Sequence, residues 1–311
     1  MIYSDSLLKE IRSEYDNRRK NAEESVSYYE EILENDEEYL SALNEFNSAR
    51  LKKSKANYSG DRKLLKEAEQ ELAESKKKMT ARKKQLAISD DKLTPKYRCP
   101  CCNDSGYTAD GKRCKCFNQV ATQIILNELG IEEKPLPDFS QTKYEEKNGL
   151  KKIYEKFAAY CDKFGRNSKN IVISGNVGTG KSFLSGCIAN ALKKKDFNVI
   201  FITASELDVI FLKYHVSPVY EKSFYLSILT GCDMLVIDDL GTEPLYKNVT
   251  EEYLLTLFSE RNAKGMPYIV TTNLDQNQLL DRYGDRILSR LNDKKTGVRI
   301  EINGEDLRRL K

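Results

Sequence analysis

The sequence predicts an α/β protein: a core of alternating strands and helices, preceded by a helical, coiled-coil-like arm and a small cysteine-rich module. Three observations carry this expectation. Residues 175–182 form a glycine-rich turn between an apolar run and a helical pattern. Apolar residues recur at seven-residue spacing between Val26 and Leu86. Five of the eight cysteines crowd into residues 99–116.

Composition limits the function classes. A chain of 311 residues suggests two or so domains. The hydrophobic content of 40% suffices for a core, and the charged content of 32% points to a long solvent-exposed helical segment. A net charge of +3 does not announce nucleic-acid binding, so any basic surface is local. No apolar run approaches the roughly 20 residues a membrane span requires. The first residues lack the basic and apolar regions of a signal peptide. Clustered cysteines fit a reducing, cytoplasmic setting with one metal site better than a disulfide scaffold.

Residues 1–94 read as the arm. A weak helical pattern opens it (Leu7, Leu8, Ile11, Tyr15). Val26, Leu33 and Leu40 then recur at seven, with Tyr29 and Leu43 at the offset positions and Asp36 breaking the seam. Residues 57–61 give a turn signal around Gly60. Beyond it Leu65, Leu72, Met79 and Leu86 are again seven apart, with Ala68 as partner and the polar Ser75 and Arg82 interrupting. Two such stretches around a glycine turn predict an antiparallel helical hairpin. The segment holds no catalytic constellation and reads as a partner-binding arm.

Residues 95–134 read as a metal module and connecting helix. Cys99 and Cys102 are spaced C-x-x-C, and Cys114 and Cys116 C-x-C. Four thiolates at this spacing can close a tetrahedral zinc site across a hairpin-like loop, with Gly106 and Gly111 in the turns. All four positions are filled by protein, so the site is structural in kind. Cys101 is an extra thiol that can exchange with Cys102 as ligand. The module is too small to bury a core of its own and would draw stability from the metal.

Residues 135–311 read as the α/β domain. Gly175, Asn176, Val177, Gly178, Thr179, Gly180, Lys181 and Ser182 fit G-x-x-x-x-G-K-[ST], the phosphate-binding loop of nucleotide triphosphatases, with Phe183 following in the same binding set. The apolar run 170–174 before it reads as a strand and 183–192 as a helix, which is the context the motif needs. Backbone N–H groups of the loop and the helix N-terminus favour phosphate. Lys181 reaches the β- and γ-phosphates, and Ser182 ligates Mg²⁺. Residues 198–202 read as the second strand. Residues 204–230 read as helical, interrupted at Ser217 and Pro218. Residues 232–241 form an apolar strand ending in Asp238 and Asp239, a Walker B pattern. Asp238 would hold Mg²⁺ and Asp239 would orient water. The strand 266–273 ends in Asn273, which either positions that water or caps a helix. Arg286 and Arg290 lie four apart on one helical face, either solvated or reaching a neighbouring subunit's γ-phosphate. A fifth strand at 297–302 precedes a short basic tail.

Together these elements resemble the AAA+ helicase loaders of bacteria, the DnaI/DnaC family, and their transposition relative IstB. The matching residues are 175–182, 235–241, 269–273 and 284–291, with the cysteines of 99–116 resembling the zinc module of the DnaI branch. The resemblance implies a parallel five-stranded αβα core that assembles side by side as a homo-oligomer. It implies an ATPase in which Asn273 is sensor 1, Arg290 the finger with Arg286 close by, and Arg308 sensor 2. It further implies that the arm grips the replicative hexameric DNA helicase and that the AAA+ part binds single-stranded DNA.

Overall fold

The computed structural model describes residues 4–141, 150–302 and 304. They form two compact units, one within residues 9–117 and the other from the described residues beyond 117 together with residues 4–8.

The first unit begins with helix α1 (Asp5–Glu34), followed by α2 (Glu37–Ser59) and α3 (Arg62–Gln85). The heptad pattern predicts one helix through Asp36; instead Asp36 starts a new one. Its carboxylate accepts the Tyr39 amide as an N-cap and also takes a forked contact from Arg82 of α3. Gly60 closes α2 with a left-handed backbone, and Asp61 caps α3. The hairpin around Gly60 is therefore α2 with α3, and α1 is a third helix. The seam also differs from the expected leucine ladder. Ala42, Ala49 and Ala56 of α2 are buried, as are Ala68 and Ser75 of α3. The leucines at 40, 43, 65 and 72 are only half-buried. Small side chains let two helices approach closely, and the longer ones then cover the flanks. Ser75 is tolerated inside because its hydroxyl donates to the Glu71 and Leu72 carbonyls. Ion pairs such as Lys52–Glu71 and Lys78–Glu45, both 2.8 Å, border the seam and add little at such exposure.

The cysteine module follows. Tyr107 and Arg113 form an antiparallel bridge, and the Cys114 amide donates to the Gly106 carbonyl at 2.9 Å. Helix α4 (Lys115–Glu128) starts at its last cysteines.

The second unit is built on a fully parallel five-stranded sheet. After α5 (Leu150–Asp162) come β1 (Asn170–Ser174), α6 (Lys181–Lys193), β2 (Val199–Thr203), α7 (Ala204–Val216) and α8 (Val219–Gly231). Then follow β3 (Met234–Leu240), α9 (Thr250–Lys264), β4 (Tyr268–Thr272), α10 (Gln276–Leu291) and β5 (Gly297–Glu301). The sheet order is β2-β3-β4-β1-β5. Each parallel connection runs through helix, as parallel strands require. β1 and β4 are buried at every position and β3 at all but Asp239, which is why these strands read as continuous apolar runs. Ile171, Ile173, Leu184, Ile188, Val236 and Ile269 form the heart of the core.

The largest fully buried side chain is a charged one. Arg261 of α9 is fully buried and donates to the carbonyls of Leu229, Cys232 and Pro267. It pins the entry ends of β3 and β4 and leaves their exit ends to the site. α10 bends at Gly284, whose backbone is non-helical. Among the described residues no helix is long and apolar enough to cross a membrane.

Candidate nucleotide site and cysteine cluster

β1, β4 and β3 are neighbours in the sheet, so their exit ends lie along one edge, where open parallel sheets bind ligands. Residues 175–180 leave β1 there and turn into the N-terminus of α6. Gly175 has φ 145°, and a Cβ on it would lie 2.1 Å from the Ile302 carbonyl oxygen just past β5. No larger residue fits that approach. The Ile302 amide donates to the Ser174 carbonyl at 2.8 Å, so the end of β5 backs the start of the loop. Thr179 is buried, its hydroxyl donating to the Asn176 carbonyl at 3.0 Å, while Val177 is exposed on the loop's outer side. Lys181 is buried, and its ammonium donates to the carbonyls of Gly175 and Asn176 at 2.9 and 2.5 Å. Phe183 packs beside Tyr154 of α5.

Asp238 and Asp239 end β3 at an irregularity, where the β3–β4 register shifts between Ile237 and Leu240. Asp239 takes φ 55°, a left-handed backbone conformation at the irregular end of the strand. Thr271 of β4, which the sequence reading passed over, holds both residues. Its hydroxyl donates to Asp238 Oδ1 at 2.6 Å and accepts the Asp239 amide at 2.8 Å. A signal for it was present: polar threonines close an otherwise apolar strand.

Burial pushes the Asp238 carboxyl above the usual carboxylate range, and the Asp239 charge adds to that. The hydroxyls of Thr271 and Ser182 and the Lys181 ammonium act the other way. Lys181, Ser182, Asp238 and Asp239 are thus brought together. A divalent cation held by Ser182 and Asp238 would supply the positive charge that this buried carboxylate needs. The residues present therefore fit a Mg²⁺-bound nucleotide phosphate.

Asn273 is exposed immediately after β4. Arg286 and Arg290 both lie beyond the Gly284 bend of α10. Arg286 is exposed; Arg290 is half-buried and donates to the Ser259 hydroxyl at 2.7 Å and to the Arg286 carbonyl at 2.7 Å. Arg308 lies outside the described residues.

A second group missed from sequence lies after the acidic pair. Glu243 is buried, accepts the Gly241 amide at 2.8 Å, and is met by Tyr283 and Arg282 of α10. Asp208 of α7 is also buried and accepts from Thr250 at 3.2 Å, while its Oδ2 has no hydrogen-bond partner among the described residues. Burial pushes the Asp208 carboxyl up to about 6, with the Glu243 charge adding and Thr250 and Arg282 opposing. This carboxyl holds its proton more tightly folded than unfolded. Its contribution to stability is therefore present below the ordinary carboxylate range near pH 4 and is lost as pH rises through about 6. Asp208→Asn is expected to stabilise the protein at pH 7.5 by on the order of 2 kcal/mol, with the gain vanishing near pH 4. Urea unfolding at both pH values checks this, and an equal effect at both would contradict it.

In the first unit, Cys99, Cys102, Cys114 and Cys116 bring their sulfurs within 4.8 Å of one another. Cys99 and Cys114 are 3.7 Å apart, and Cys102 and Cys116 3.5 Å. Tetrahedral zinc with bonds of about 2.3 Å sets its sulfurs roughly 3.8 Å apart, so the donor set fits zinc. Cys101 is exposed and outside the cluster, and Cys102 lies within it. Asp104 is fully buried and accepts the amides of Arg98 and Cys99 at 2.7 and 3.0 Å, shaping the first turn.

A glycine loop between β1 and α6, an acidic strand end beside it and this strand order define a P-loop nucleotide-binding domain of the AAA+ kind. Residues 120–311 match the family of IstB-like ATP binding proteins, and the chain belongs to that family. It is 29% identical over 188 residues to the uncharacterized protein YdaV of Escherichia coli (strain K12), covering 58% of this chain and 73% of YdaV. It is 26% identical over 145 residues to the replicative helicase loader DnaC of the same strain, covering 46% of this chain and 58% of DnaC. A crystal structure of DnaI aligns with a TM-score of 0.44 at 23% identity, covering 55% of this chain and 89% of DnaI.

Proposed function

We propose that this chain is an ATP-dependent loader that places a replicative hexameric DNA helicase on single-stranded DNA. The observation that carries the reading is one chain joining an IstB-like ATP-binding domain, similar in sequence to the loader DnaC, to a separate helical unit with a cysteine cluster. The helical unit takes the part of the helicase-gripping arm, and the cysteine cluster that of a structural zinc site. The setting is the cytoplasm.

In this reading the loop amides from Gly175 to Ser182 cradle the phosphates, and Lys181 neutralises them. ATP with Mg²⁺ supplies the phosphoanhydride whose cleavage resets the protein. Ser182 and Asp238 would hold the metal, and the Thr271 hydroxyl fixes the Asp238 carboxylate by its hydrogen bond. Asp239 and Asn273 orient the attacking water. Asp239 is one methylene shorter than Glu, so its reach is limited and turnover slow. Arg290 of a neighbouring copy completes the site in a homo-oligomer, with Arg286 beside it and Arg308 acting in cis.

Incubating the purified protein with its host's replicative helicase, ATP and single-stranded DNA tests the reading. Helicase is expected on the DNA only with protein and ATP together. Arg290→Ala should lower turnover in the assembled state and leave dilute monomer unchanged. Failure to bind that helicase, free or on DNA, would remove the loader reading. The family match favours one second reading, an ATPase helper of DNA transposition like IstB. Stimulation of a transposase on duplex DNA without helicase binding would select it. Loading that persists when Asp239 is replaced and turnover stops would instead mark a weakly hydrolysing switch.

A further inference from the structure

Tyr15 of α1 is buried against the cysteine cluster although 101 residues separate it from Cys116. Its hydroxyl lies 3.0 Å from Cys116 Sγ. Its ring occupies the space where a side chain at residue 106 would be: a Cβ on Gly106 would lie 2.6 Å from Tyr15 Cε2. Gly106 has φ 77°, and its carbonyl takes the Cys114 amide, so the turn that admits Tyr15 is also the turn that sets Cys114. The Phe117 ring centroid lies 6.3 Å from that of Tyr15, and the Tyr107 ring meets Phe117 at 5.9 Å. The cluster is therefore packed against a residue from a helix distant in sequence.

We propose that Tyr15 is a positioning residue for the metal centre, coupling zinc occupancy to the seating of α1. The inference rests on the reading of the four cysteines as a zinc site. A cysteine bound to zinc has lost its proton, so in the loaded site the Tyr15 hydroxyl donates to Cys116 Sγ. Four thiolates bring two more negative charges than the cation neutralises. A donor on one sulfur draws off part of that excess and fixes the sulfur's direction, as partners of metal ligands generally do. The same bond ties α1 to the module, so losing the metal loosens the helix.

Tyr15→Phe keeps the ring and removes only the hydroxyl. In the full chain it is expected to speed zinc transfer to a chromogenic chelator about 10- to 100-fold. With Co²⁺ in place of zinc, the sulfur-to-metal absorption should shift between wild type and Tyr15→Phe. A second measurement needs no variant. Chelating zinc from wild type should raise hydrogen exchange in α1 around Tyr15 while the α2–α3 hairpin stays protected. Loaded Tyr15→Phe that releases zinc at the wild-type rate, or α1 protection indifferent to metal, overturns the coupling and leaves the zinc site standing. Wild type that binds no zinc overturns both.

Discussion

Lys181→Ala lowers ATP affinity by at least about 100-fold, because it removes the one buried ammonium in the phosphate loop. Lys181 is 4% exposed, and its nitrogen donates to the carbonyls of Gly175 and Asn176. It is therefore aimed inward across the loop rather than out to solvent. A hydrogen bond to a charged group contributes about 1.5–3 kcal/mol, and in the proposed site two phosphates would share this donor. Each 1.4 kcal/mol is about tenfold in affinity, so a loss of roughly 3 kcal/mol gives the expected factor. Titration with a fluorescent ATP analogue, beside a thermal melt, measures it. A folded Lys181→Ala protein binding ATP within threefold of wild type would remove the phosphate-loop assignment. Lys181→Arg also loses affinity, because a planar guanidinium does not replace a compact ammonium in so closed a loop.

What sequence shows of this site depends on how local each feature is. The phosphate loop is contiguous, and its flanking strand and helix are encoded by apolar runs of the right length. The strands of the sheet were legible for the same reason: β1, β3 and β4 are buried on both faces and contain little but Ile, Val and Leu until their tips. The Thr271 clamp was not legible. It joins residues 33 apart through a register irregularity, and no spacing rule connects them. The same holds for Glu243 with Tyr283, 40 residues apart on a loop and a helix.

The arm shows a different limit. Seven-residue spacing finds helices but does not say which face is inside. The leucines drew attention because they are large, yet the alanines at 42, 49 and 56 share the same spacing and are the buried ones. Asp36 and Arg82 looked like two unrelated interruptions. Their contact turns both into the clasp at the open end of the α2–α3 hairpin. A charged pair across a seam is recognisable only once the chain direction is known to reverse at Gly60.

Replacing Cys99 and Cys114 together with serine abolishes zinc binding and unfolds the cysteine module. Metal analysis is expected to fall from about one zinc per chain to none. The two residues come from opposite ends of the loop, 15 apart in sequence, and their sulfurs are 3.7 Å apart. Two ligands remain after the change, and two thiolates do not close a tetrahedron. The rest of the segment's order is local. It includes the Tyr107–Arg113 bridge, turn hydrogen bonds such as Ser105 to Cys102, Thr108 to Lys112 and Cys114 to Gly106, and the Asp104 cap on Arg98 and Cys99, with Tyr15 packed against the turn at Gly106. Structural zinc contributes roughly 10–16 kcal/mol of apparent binding energy, more than the whole stability of many domains, and in the proposed site it would fall on some twenty residues. The amides of Arg98, Cys99 and Cys114 should therefore exchange freely in the double variant. ATP affinity should stay within threefold of wild type, because every residue of the phosphate site belongs to the other unit. Undiminished zinc in the double variant would mean that the metal is bound elsewhere. Protected amides without zinc would mean that hydrogen bonds alone hold the loop.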